Sequence, residues 1–247
     1  MAWREVEGAR LPFPDTTPAR ITMKKHLLSV SAFAALAVSA SALAGWSHSQ
    51  IYTDATQDLF DNGMGNLDIV SARINQSDTG SGYQLSIWIT TREFADWTKY
   101  MVFMGSGAGG RTDNPWNRPI DTNGQGAHSF IGAWADGGGG NQFWAASDAG
   151  WSQNGSVGQY INPGQNHFEL SLGSFGYSMV GHTIYFDVAT SGGGNDPGVD
   201  HLSRSDMATS GWGSASTAGQ YLSFTLVPAP GAIALFGLAG LVSRRRR

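Results

Sequence analysis

The sequence predicts an all-β body, an antiparallel β-sandwich or barrel, flanked by an N-terminal signal helix and a short C-terminal hydrophobic helix. Three observations point there. Period-two alternation recurs through the middle of the chain, glycine-rich turns separate the alternating runs, and no long stretch carries helical periodicity. A composition of 34 glycines, 11 % aromatic and only 14 % charged residues fits a loop-rich β protein of this kind.

In chain order, residues 1–22 (MAWREVEGARLPFPDTTPARIT) carry no structural pattern and read as an upstream extension, with Met23 as the true start. From Met23 the chain runs MKKHLLSVSAFAALAVSASALA, a basic start, a short apolar stretch and a small-residue site at Ala42-Leu43-Ala44. Those three parts describe a secretory signal peptide over 23–44, cut by signal peptidase before Gly45. The apolar run is interrupted by serines and is too short for a transmembrane helix.

Residues 45–226 form the expected β domain. Tyr83–Thr90 places Tyr83, Leu85, Ile87 and Ile89 on one face and Gln84, Ser86, Trp88 and Thr90 on the other. His167–Leu172, Thr183–Val188 and Tyr221–Leu226 repeat the period, while Leu67–Ile74, Lys99–Met104, Ser129–Trp134 and Gln142–Ala145 are weaker strand candidates. The connections Gly105–Gly110, Gly137–Gly140 and Gly192–Gly194 are rich in glycine, which supplies positive-φ turns at a cost in order. No linker divides this body and no repeat of fixed period runs through it.

With the terminal segments set aside, residues 45–227 hold 6 Arg and Lys against 16 Asp and Glu, a balance of about −10 that the whole-chain value of −4 conceals. An acidic body repels nucleic acid and anionic membrane, which leaves contact with membrane to the termini alone. Zero cysteines exclude disulfides, thiol catalysis and thiolate metal sites. An exported domain of this size can bury enough core to do without cross-links.

Several motifs bear on chemistry. Gly105-Ser-Gly-Ala-Gly-Gly110 satisfies G-x-G-x-x-G, but Arg111-Thr-Asp-Asn-Pro-Trp-Asn-Arg-Pro119 cannot open the helix that a dinucleotide site requires, so this is a plain glycine loop. Asp54, Asp58, Asp61 and Asp68 crowd a short loop with Asn62 and Gly63. Oxygens so placed could wrap a hard cation such as calcium, although the spacing is not that of an EF-hand, and turn and capping chemistry also explains them. Gly193-Gly-Asn-Asp-Pro-Gly-Val-Asp-His201 is a second oxygen-rich segment, read as an exposed loop that could add ligands. The histidines are scattered without metal spacing, G-x-S-x-G is absent, and the body's two glutamates, Glu93 and Glu169, offer no evident catalytic pair. Tryptophan is the remaining signal. Among eight in the body, Trp116, Trp134, Trp144 and Trp151 are candidates for a platform on which sugar rings stack, the competing reading being core or loop anchors.

The chain closes on VPAPGAIALFGLAGLVSRRRR. Ala232–Val242 is eleven apolar residues, short of the roughly 20 needed to span a bilayer. Pro228 and Pro230 end the last strand, which sets 227–247 outside the expected fold. Val227-Pro228-Ala229-Pro230, the apolar stretch Gly231–Val242 and the cluster Arg244, Arg245, Arg246 and Arg247 together resemble the PEP-CTERM class of bacterial sorting tails, with Ala229 where that class usually carries Glu. The resemblance implies export, transient retention in the inner membrane, processing by an exosortase-type enzyme near the motif, and delivery to the cell surface or extracellular matrix. The body is similar, more loosely, to the DOMON-like sandwich of family 9 carbohydrate-binding modules, through Leu67–Val70, Tyr83–Ile89, Asp96–Tyr100, Leu172–Gly176 and Ile184–Val188. That likeness implies a two-sheet DOMON-like or jelly-roll fold, often with structural calcium and an aromatic sugar cleft. The expected function is therefore a non-catalytic binding or structural module that meets an extracellular polysaccharide. The alternatives are a secreted polysaccharide-acting hydrolase and a purely structural surface protein.

Overall fold

Alternation sets the architecture. In the computed structural model, which describes residues 47–229, Tyr83, Leu85, Ile87 and Ile89 are all buried and the residues between them are half-buried, as the period predicts. The signal helix, Ala42, Ala44 and Gly45, and the tail from Pro230 through Gly231 to Arg244–Arg247, lie outside the described residues.

Two antiparallel sheets carry most of the chain. The first runs β1 (Ser47–Thr53), β2 (Ile69–Asp78), β3 (Tyr83–Thr91), β10 (His167–Phe175) and β9 (Gln159–Asn162). The second runs β12 (Asp200–His201), β11 (Thr183–Ser191), β4 (Lys99–Gly105), β6 (Ser129–Trp134), β7 (Asn141–Ser147) and β8 (Gly150–Ser156), with β14 (Leu222–Thr225) also pairing with β11. A parallel pair of two-residue strands, β5 (Ile120–Asp121) and β13 (Ser216–Thr217), stands apart.

The inner faces of both sheets share one hydrophobic cluster. Ile74, Leu85, Ile87, Ile89, Phe168 and Leu170 come from the first sheet, and Tyr100, Val102, Ile131, Phe186 and Val188 from the second. Tyr100 and Phe168 stack across the gap with centroids 4.3 Å apart. Each fully buried aromatic or aliphatic side chain here contributes roughly 1.5–3 kcal/mol over its exposed state.

The second sheet has a further layer on its outer face. Met101, Phe103, Phe130 and Ala189 point away from the main core, yet are buried beneath Trp116, Trp144, Trp151 and Tyr221. This explains why β4 reads KYMVFMG, apolar without alternation: both of its faces are covered. Among the described residues helical structure is limited to two 3₁₀ turns, Pro163–Gln165 and Tyr177–Met179, and no helix is long and apolar enough to cross a membrane.

The body's contacts continue past residue 226. Val227 is hydrogen-bonded to Gln76, and Ala229 is buried against Tyr83, so the chain stays on the body for three residues past the last predicted strand. The strand ladder ends before Pro228, and side chains of the opposite sheet bond the chain from there.

Candidate functional site

The loop between β1 and β2 assembles an acidic centre. Asp54 follows β1 and Asp68 precedes β2, which brings the two ends of the loop together through a hydrogen bond from Asp54 N–H to Val70 O at 3.1 Å. Oxygens of Asp58, Asp68 and Asp200 lie within 4.8 Å of one another. Asp68 is fully buried; its Oδ2 accepts from Arg92 Nε at 2.8 Å and from Gln57 N–H at 2.9 Å, while Oδ1 has no partner. Both carboxylate oxygens of Asp58 and Oδ2 of Asp54 are also buried without a partner. Asp200 accepts from Ile69 N–H at 2.6 Å and from its neighbour His201 N–H at 2.8 Å.

Buried carboxylate oxygens without donors are costly, because the anion loses water and gains nothing in return. Protonation responds accordingly. Burial, reinforced by Asp58 and the other nearby carboxylates, pushes Asp54 up to about 8. Burial and then the Asp54 charge raise Asp200 well above the usual carboxylate range, and burial with Asp68 raises Asp58. A divalent cation would remove this penalty, and the all-oxygen donor set suits a hard ion such as calcium. The orphaned oxygens of Asp58 and Asp68, with Asp200, fit such an ion, and these are the residues that would hold it.

Two of the four predicted metal candidates, Asp58 and Asp68, thus come together; Asp54 is electrostatically coupled to them but is not among the oxygens within 4.8 Å, and Asp61 does not join. Asp61 is exposed, and its Oδ1 accepts from Gly63 N–H at 2.9 Å in a turn. Asp200 supplies the third carboxylate. It lies in the second oxygen-rich segment, read from sequence as an exposed loop that could add ligands; in the structure Asp200 is buried there.

The four candidate tryptophans also converge, on the outer face of the second sheet. Trp134, Trp144 and Trp151 project from β6, β7 and β8, and Trp116 folds over them from the loop after β4. Trp116 lies 4.5 Å from Trp134 and 5.3 Å from Phe130 between ring centroids, and Phe130 lies 6.3 Å from Trp151. Their polar edges are tied down: Trp116 Nε1 and Trp144 Nε1 both donate to Gln142 Oε1, at 2.9 and 3.0 Å, and Trp151 Nε1 donates to Asp113 Oδ1 at 3.0 Å. Asp113 is in turn held by Arg111, whose guanidinium keeps the carboxyl below its ordinary range.

Two glycines make room for this cluster. A Cβ at Gly132 would sit 2.0 Å from Trp116 Cζ2, and one at Gly139 would sit 2.1 Å from Trp134 Cε2. All four indoles are half-buried; Arg118 lies over the Trp116 ring at 5.2 Å, and the Trp134 ring is met by both Gly139 and Trp116. The arrangement offers fixed apolar faces with few free donors, suited to stacking on the C–H faces of a sugar.

Two other features bear on chemistry. A cleft of about 620 Å³ opens at one end of the intersheet space, among Met104, Phe143, Leu172, Phe175, Met179 and Ile184, and no carboxylate lines it. Asp187, His201 and Ser216 form a hydrogen-bonded line, with Asp187 Oδ2 to His201 Nδ1 at 2.7 Å and His201 Nε2 to Ser216 Oγ at 3.2 Å. The order resembles a nucleophilic triad, yet all three residues are fully buried and Ser216 Oγ already accepts from Gly198 N–H at 3.1 Å. A substrate has no route to that hydroxyl, so the line acts to tie β11, β12 and β13 together.

Compared with known proteins, the chain matches no family model and no curated protein.

Proposed function

We propose that the protein is exported and displayed at the cell surface or in the extracellular matrix, where its β-sandwich body, of the DOMON-like or jelly-roll kind, acts as a non-catalytic binding module. The signal peptide at 23–44 and the PEP-CTERM-like tail support export, with signal peptidase and an exosortase-type enzyme as processing partners. The ligand is an extracellular polysaccharide met by Trp116, Trp134, Trp144 and Trp151. Calcium held by Asp58, Asp68 and Asp200, with the coupled carboxylate of Asp54 in the same loop, orders the segment between β1 and β2.

One observation carries the binding reading: four half-buried tryptophans from separate parts of the sequence meet on one sheet face, three of them with the indole N–H bonded. The acidity of the body turns away anionic polymers and favours a neutral glycan. A polysaccharide pull-down or glycan array with the full chain, in calcium and in chelator, tests this. Retention on a neutral polysaccharide, lost in a Trp134→Ala, Trp144→Ala double variant that still folds, is the expected result. Absence of retention in both conditions would leave the purely structural reading.

A further inference from the structure

The inward row of β2 reads Ala72, Ile74, Gln76, Asp78, so a glutamine stands where the sheet pattern calls for a hydrophobe. Gln76 is fully buried. A primary amide at such a site is tolerated only when both of its ends are bonded. Here both bonds go to one residue, Val227: Gln76 Nε2 donates to Val227 O at 2.8 Å, and Gln76 Oε1 accepts Val227 N–H at 3.1 Å. The side chain thus offers the same two-point exchange that a neighbouring strand would offer.

Two residues on, Ala229 N–H donates to Tyr83 Oη at 3.3 Å, and the Ala229 side chain is 2 % exposed. Tyr83 is itself braced edge-on by Tyr177, whose hydroxyl donates to Asp78 Oδ1 at 2.8 Å. Pro228, between them, has no N–H to satisfy. Immediately upstream, Leu226 N–H donates to His182 O at 3.0 Å. Every main-chain donor from Leu226 to Ala229 is therefore matched by the body, and a proline is the residue that fits at 228 without leaving an orphan.

We infer that Gln76 and Tyr83 form a built binding site for Val227-Pro228-Ala229, through which the folded body sequesters the front half of its own sorting motif and restricts processing to bonds beyond Ala229. The clause about processing rests on the sorting-tail reading given above; the clamp does not. A cut beyond Ala229 leaves a mature C-terminus still fastened to β2. A cut within 227–229 requires the clamp to open first.

Hydrogen exchange on the full chain, resolved at single amides, tests the clamp. Val227 and Ala229 amides are expected to be protected in the wild type. In Gln76→Leu, Val227 exchanges about tenfold faster or more, while Leu222–Thr225 stays protected. Tyr83→Phe, a milder change, is expected to release Ala229 alone. Exchange of Val227 and Ala229 at the random-coil rate in the wild type would overturn the clamp. For the second clause, the full chain is co-expressed with an exosortase-type enzyme and the mature C-terminus is read by mass spectrometry. A wild-type terminus at Ala229 or beyond, moving upstream in Gln76→Leu, supports the restriction; a wild-type terminus before Ala229 overturns it. Protected amides with no cleavage in either protein would sink the sorting reading, and the restriction with it, while the clamp stands.

Discussion

Asp61 and Asp200 hold each other's expected places. Asp61 lies three residues from Asp58 in sequence, but its carboxylate is spent on the Gly63 turn and faces solvent. Asp200 is far away in the chain, and the pairing of β12 with β11 carries it to the cluster, where Ile69 N–H fixes its Oδ2. The sequence exposed Asp54, Asp58 and Asp68 because one short loop holds them all. It marked Asp200 only as part of a second oxygen-rich segment and could not join that segment to the first, because strand pairing across the sheet leaves no local pattern. A contrast between variants follows. Calcium at about a hundredfold excess over its Kd should stabilise the wild type by about 2.7 kcal/mol. Asp68→Asn and Asp200→Asn should abolish that gain in a thermal melt, and Asp61→Asn should keep it. A gain that survives Asp200→Asn and disappears in Asp61→Asn would place the ion on the loop alone. His201 permits a separate check. Its removal strips Asp187 Oδ2 of its partner in a fully buried setting, so His201→Ala should cost roughly 2–4 kcal/mol in urea unfolding.

At the scale of elements, the strongest alternation marked β3 and β10 because these are central strands with one face on the core. The weaker candidates became β2, β4, β6 and β7, and β4 lost its alternation to the aromatic layer on its outer side. β1, β8 and β9 gave no clear signal, since edge positions leave them polar: β8 reads GWSQNGS and is mostly exposed. The aromatic face was legible as residue types but not as a surface. Trp134, Trp144 and Trp151 become neighbours only when β6, β7 and β8 pair, with Phe130 opposite Trp144 and Ala146 opposite Trp151. Glycines that looked like loose connections prove to be contact points, since Gly139 lies flush under Trp134. Gly132→Ala therefore drives a methyl into Trp116 and should cost about 1–3 kcal/mol through overpacking. It should also change tryptophan fluorescence and weaken glycan retention. A variant with wild-type stability and spectrum would mean that Trp116 is not seated on that strand.

For the whole molecule, charge is the controlling quantity. The body carries about ten excess negative charges, and the cluster of Asp58, Asp68 and Asp200, with Asp54 coupled to it, sets four carboxylates against Arg92, the single guanidinium bonded there among the described residues. Without a cation, Asp54 and Asp200 hold protons in the folded state that the unfolded chain has already released, because their folded pKa values are raised from 3.8. The folded state then binds more protons than the unfolded one, so stability falls as pH rises from about 4 towards 8. His167 acts in the opposite sense below its ordinary value of 6.5, since burial lowers its pKa and penalises the charged form. The interval from about pH 6.5 to 8 isolates the carboxylates. In chelator, the melting temperature should decline across that interval. In saturating calcium the carboxylates are ionised by the metal, protons are released on binding, and the decline should vanish. Apparent calcium affinity should rise with pH over the same range, as calorimetry in two buffers of different ionisation enthalpy would detect. A melting temperature that rises with pH in chelator from 6.5 to 8 would show that the cluster is already neutralised by the protein, and the case for a bound cation would fall with it.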